Sequence, residues 1–117
     1  MEDYRFSVFY MNEKTADVTV SSNRVEYQVY VDLNDLRMQT RVPFCFMNIT
    51  MDNLYEFLES RCMPRERTSL KQYLEDLGLD EYNPYEIVRL THGVMWEDNM
   101  WLKFPGEDVS WEDVRVR

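Results

Sequence analysis

Strict two-residue alternation through the first third of the chain limits what it can fold into more than any other feature. Val25, Tyr27, Val29 and Val31 occupy one face of an extended segment, and Glu26, Gln28 and Tyr30 occupy the other. Tyr4, Phe6, Val8 and Tyr10 alternate in the same way with Arg5, Ser7, Phe9 and Met11, and Val18 and Val20 mark a strand over Asp17–Ser21. The polar turn Ser21-Ser22-Asn23 separates two of these runs, so the spacing predicts an antiparallel meander with polar connections.

Beyond the meander the period changes. Residues 32–49 carry no clear pattern except Val42 to Met47, which reads as a short buried strand interrupted by Pro43. Thr50 suits a helix cap, with Met51, Leu54, Tyr55, Leu58 and Cys62 following at helical spacing. Pro64 separates this helix from a second, whose stripe is Leu70, Tyr73, Leu74 and Leu77 and whose stop is Gly78. A third helix opens with Asn83 as cap, Pro84 at its first position and Glu86 three residues past the cap; Ile87, Val88 and Leu90 form its buried side, and Gly93 marks its end. Met100 to Phe104 alternates again and predicts a strand closing on the sheet, while Ser110 to Val116 reads as a short helix or a last strand. The expected fold class is α+β: an N-terminal antiparallel β-meander, about three central helices and a C-terminal strand closing on the sheet, in one domain over residues 1–117. At 117 residues with 44% hydrophobic content, one core is within reach and a second is not.

No apolar run approaches the ~20 residues a membrane helix needs, and the acidic start Met1-Glu2-Asp3 lacks the basic-then-apolar pattern of a secretory signal. The expected location is therefore the cytosol. Two cysteines, Cys45 and Cys62, are too few for a disulfide framework and read as free, buried thiols, and Cys62 falls on a helical core stripe.

The net charge of −9 is unevenly placed. Residues 75–113 hold eleven acids against Arg89 and Lys103, a balance equal to the whole net charge. Ten of these acids form five adjacent pairs: Glu75-Asp76, Asp80-Glu81, Glu97-Asp98, Glu107-Asp108 and Glu112-Asp113. A patterned negative surface repels nucleic acid and steers toward basic partners, although such charges also serve simply to keep a protein soluble. Tyr82, Tyr85, Trp96 and Trp111 lie among the pairs and are candidate aromatic anchors. One local exception is the basic turn of Arg61, Arg65, Arg67 and Lys71 around Cys62-Met63-Pro64.

Signals for chemistry are sparse. The sole histidine, His92, sits at a predicted helix end, where the helix dipole favours it as a cap. A Cys62–His92 nucleophile pair has no local signature. A structural zinc site is open to Cys45, Cys62 and His92 with one carboxylate, but no metal-ligand spacing supports it. Three isolated glycines exclude a glycine-rich phosphate loop. The expectation is a protein with no catalytic residue and no cofactor.

The stretch Glu59-Ser60-Arg61-Cys62-Met63-Pro64-Arg65-Glu66-Arg67, with Leu74-Glu75-Asp76-Leu77-Gly78-Leu79, Thr91-His92-Gly93-Val94-Met95-Trp96-Glu97-Asp98 and Trp101, resembles a module in small proteins of Firmicutes phages and conjugative elements. Related segments lie beside HipA-like kinase genes. The resemblance covers roughly residues 55–104 and transfers no catalytic residue, and the N-terminal meander departs from the shorter HipA-associated pattern. In size and acidity the chain also resembles anti-CRISPR proteins, which implies a nucleic-acid mimic that occupies the basic groove of an RNA-guided nuclease or an inhibitor that blocks its conformational change. The leading expectation is an inhibitor of a type II CRISPR effector that docks through the five acid pairs and the four aromatics. The alternatives are an accessory or antitoxin-like module that docks on a HipA-like kinase through the Arg61–Lys71 turn, and a small structural-zinc protein.

Overall fold

Two short connections in the N-terminal third use left-handed backbone. Met11 has φ 54° at the first, and Ser22 and Asn23, at φ 50° and 63°, form the second. Positive φ at both central residues gives the tight hairpin whose twist matches that of its strands. The computed structural model describes residues 4–95 and 97–115. In it, strands β1 (Tyr4–Tyr10), β2 (Glu13–Ser21) and β3 (Arg24–Val29) form the expected meander. The register places Phe6 opposite Val18 and Val18 opposite Tyr27, with a bulge between Val8 and Phe9. Strand β4 (Met100–Lys103) pairs antiparallel with the other side of β1, giving the order β3-β2-β1-β4.

One face of the sheet is apolar. Tyr4, Phe6, Val8, Ala16, Val18, Val20, Tyr27 and Leu102 are buried there against Leu54, Leu58, Ile87 and Val88 of the helices. Helix α1 (Leu36–Gln39) is a single turn. Helix α2 (Met51–Ser60) is capped by Thr50, whose side chain accepts from the Asn53 N–H while the Asn53 side-chain oxygen accepts from the Thr50 N–H. This closes a reciprocal cap on two otherwise orphaned donors. Helix α3 (Leu70–Leu77) ends at Gly78 in the left-handed conformation, as expected. Helix α4 (Pro84–Thr91) packs on α2, and the one-turn α5 (Trp111–Val114) shows residues 111–114 to be helical. Val116, the last residue of that expected segment, lies outside the described residues.

Three expectations need correction. Val42 to Met47 forms no strand. Val42 and Phe44 are buried, but Pro43 supplies no donor, and the Tyr27 hydroxyl anchors the segment by donating to the Phe44 carbonyl at 2.7 Å. Leu90 is 50% exposed, because the inward face of α4 is already filled by Ile87 and Val88. The α4 cap is Asn83 accepting from the Tyr85 N–H, and Glu86 takes no part in it.

The opposite sheet face is polar. Its cross-strand rows are Arg5–Thr19–Glu26 and Ser7–Asp17–Gln28. At the β4 side of this face Trp101 stacks on Phe9 with centroids 4.9 Å apart, is 1% exposed, and donates its indole N–H to the Met11 carbonyl.

Candidate functional site

Arg61 ends α2 and should be exposed if it belonged to a basic docking turn. Instead it is 6% exposed. Its Nε donates to the Gly93 carbonyl at 2.8 Å, Nη1 and Nη2 donate to the two oxygens of Asp98 at 2.7 and 2.9 Å, and Nη2 also reaches the Met100 carbonyl at 2.6 Å. A planar fork with several donors suits this task, and a lysine could not span it. Burial opposes ionisation of Asp98, but the Arg61 guanidinium and the Met100 N–H outweigh it and hold the carboxyl below its ordinary range.

Gly93 completes this clasp. Its φ is +62°, and a Cβ there would lie 3.3 Å from Leu102 Cγ and 3.4 Å from Arg61 Cβ. The neighbouring His92 is the left-handed cap residue of α4, and its carbonyl accepts from the Leu102 N–H. The outer edge of β4 is therefore covered by His92 and Arg61 rather than left open. Arg61, Gly93 and Asp98 thus meet in space, where they join α2, the α4–β4 connection and the sheet.

The ten paired acids separate into two groups. Asp98 belongs to the clasp. Glu107 accepts from the Phe104 N–H with one oxygen and lies 2.8 Å from His92 Nε2 with the other. Asp113 accepts from the Ser110 N–H in the cap of α5. Glu112 contacts Arg115 at 3.5 Å. Asp76 accepts from Gln72. Glu75, Asp80, Glu81, Glu97 and Asp108 are exposed and have no basic partner among the described residues. The bases of the acidic segment do not neutralise them: Arg89 sits over the rings of Tyr4 and Phe104, and Lys103 over Phe9.

The aromatics are less available than their position among the acids suggests. Trp111 is 6% exposed, because α5 turns it inward while its backbone N–H donates to the Asn12 side-chain oxygen. Tyr82 is half-buried, donates to the Met63 carbonyl and carries Arg65 over its ring at 4.4 Å. Tyr85 is half-buried beside Tyr4, whose hydroxyl donates to the Tyr85 carbonyl. Trp96 lies outside the described residues.

The candidate zinc ligands are not gathered. Cys45, expected as a buried thiol, is exposed in the segment that forms no strand, Cys62 is in the core as expected, and His92 is engaged with Glu107. Among the described residues no three His, Cys, Asp or Glu side chains are grouped to hold a metal. Burial pushes the Cys62 thiol up to about 12, helped by Glu59. In the basic turn Arg65 bonds Glu59 and the Tyr55 hydroxyl, which leaves Arg67 and Lys71 exposed with no carboxylate partner among the described residues.

No helix among the described residues is long and apolar enough to cross a membrane. No family model, curated protein or solved structure matches the chain.

Proposed function

We propose that the protein acts by binding a protein partner with a basic surface, and most concretely that it inhibits a type II CRISPR effector nuclease by competing for a positively charged groove. The observation that carries this reading is the set of exposed acids left without counter-charge. Glu75, Asp80 and Glu81 fall within seven residues at the end of α3 and in the connection to α4, and none of them forms an ion pair among the described residues. Unneutralised carboxylates on a fixed scaffold raise the association rate with a basic partner, and salt weakens that effect. The burial of Arg61 supports the same assignment, since it makes much of the motif a fold-building element and leaves the acids free for contact.

The test is co-purification with the effector followed by a DNA-cleavage assay, using the parent and a variant with Glu75, Asp80 and Glu81 changed to Lys. The parent should bind and inhibit, with affinity falling as salt rises; the variant should do neither. No complex, together with undiminished cleavage across several type II effectors, rejects the reading. The unpaired Arg67 and Lys71 support a second reading, an accessory module docking on a HipA-like kinase. In that case Arg67→Glu with Lys71→Glu abolishes kinase binding and the acid variant leaves it intact.

A further inference from the structure

At the Tyr4 end of the polar sheet face lies a hollow of about 560 Å³ lined by Arg5, Thr19, Arg89, Tyr4, Phe104 and Pro105, among others, with no carboxylate in its lining. In a chain of net charge −9, two arginines line this one hollow. Neither guanidinium has a carboxylate within ion-pair distance among the described residues. Arg89 is held in place without being neutralised: its guanidinium carbon is 4.8 Å from the Tyr4 ring centroid and 5.7 Å from that of Phe104. Burial keeps the Tyr4 phenol protonated despite Arg89 beside it, and its proton goes to the Tyr85 carbonyl. Thr19 sits opposite Arg5 in the register, and its hydroxyl has no partner among the described residues. The nearby acids stand outside the lining: Glu86 on α4 acts on Tyr4 but forms no ion pair with Arg89, and Glu26 flanks Thr19 from β3.

The geometry points to a binding site for a phosphoryl oxyanion, held by Arg5 and Arg89 with the Thr19 hydroxyl as a third donor. Two forked cations and one hydroxyl offer donors from several directions, which matches a tetrahedral oxyanion better than a single planar carboxylate. Arg5, Thr19, Phe104 and Pro105 also line an adjoining groove of about 830 Å³ on the sheet face, which continues past Ser7 and Gln28 and is lined further along by Asp17, Glu26 and Glu107 as well as Lys14 and Lys103. The phosphoryl group can therefore come from free phosphate or from a small phosphate monoester whose polar body lies in the groove. This site is separate from the acids of the proposed docking surface and does not depend on that reading.

Isothermal titration of the full chain at low salt with inorganic phosphate and with ribose 5-phosphate tests it. Saturable binding of either below about 10 mM is expected. Equal affinities identify free phosphate as the source, and a tighter ester identifies the groove as the holder of its body. Arg5→Gln and Arg89→Gln should each weaken binding at least about tenfold, the effect of losing one charged hydrogen-bonding group. Arg24→Gln, on the same sheet face but lining neither hollow nor groove, should leave it unchanged. Absence of saturation by both ligands, or either arginine variant of the hollow binding as tightly as the parent, overturns the assignment.

Discussion

Changing Arg61 to Met removes the fork of the clasp while keeping a long, flexible apolar stem in its place. The carbonyls of Gly93 and Met100 lose their side-chain donor, and Asp98 loses both of its guanidinium bonds. Each orphaned buried carbonyl costs about 1–3 kcal/mol. The Asp98 side chain is 37% exposed and regains part of its hydration, so it adds less than a fully buried carboxylate would. The expected loss is about 3–5 kcal/mol, in line with stripping one partner from a buried pair. Unfolding entropy for a chain of this length is about 0.25 kcal/mol per kelvin, so Tm should fall by about 12–20 °C. Arg61→Lys should fall between parent and Met, because an ammonium keeps the charge but not the fork.

Calorimetry measures the shift, and acid titration of stability checks the electrostatic part. The folded-state pKa of Asp98 is depressed, with the Arg61 guanidinium overcoming the effect of burial. Its contribution is therefore present above the unfolded carboxyl value of about 3.9 and lost as pH falls through the lower folded value. Asp98→Asn should remove that acid-side loss while costing about 1–2 kcal/mol at neutral pH. If Arg61→Met melts within about 2 °C of the parent, a difference of only about 0.5 kcal/mol, the clasp does not hold the fold and the reasoning fails.

Two further outcomes follow from local chemistry. An alkylating reagent at neutral pH should label Cys45 alone in the folded protein and both cysteines in denaturant, since Cys62 is buried with its thiol pushed up to about 12; intact-mass measurement counts the adducts. Gly93→Ala should cost about 1–3 kcal/mol, clearly more than Gly78→Ala at about 1 kcal/mol, as measured by urea unfolding. Both sites have positive φ, but only at Gly93 does the new methyl meet neighbours.

The elements themselves were legible because their signals are local. Alternation marked β3, Thr50 and Asn83 marked helix starts, and Gly78 marked a stop, each acting within a few residues of itself. The clasp was hidden because the partners of Arg61 lie 32 to 39 residues further along the chain. Counting charge placed Arg61 with Arg65, Arg67 and Lys71, whereas helical phase gives a different answer. Arg61 falls seven residues after Leu54 and three after Leu58, on the stripe that also holds Cys62, so a cation on a core face was the available signal. The same limit applies to the acid pairs. Adjacent carboxylates look alike in sequence, yet Asp98, Glu107 and Asp113 are committed to an arginine, a backbone N–H and a helix cap, while Glu97 and Asp108 beside them are not.

The pairing of β1 with β4 also bears on the order in which the molecule can assemble. Tyr10 lies opposite Met100, and Trp101 hands its indole proton to Met11 across 90 residues of chain. The first strand leaves a ribosome long before the strand that completes its other side, so the meander must wait with one edge of β1 bare. Closing so long a loop is entropically costly and slow. Arg61 is in the same position, since none of its four acceptor oxygens exists until residues 93 to 100 have been made. Native packing is thereby postponed until β4 has been made, and a chain halted before β4 exposes the unpaired side of β1 to any passing strand.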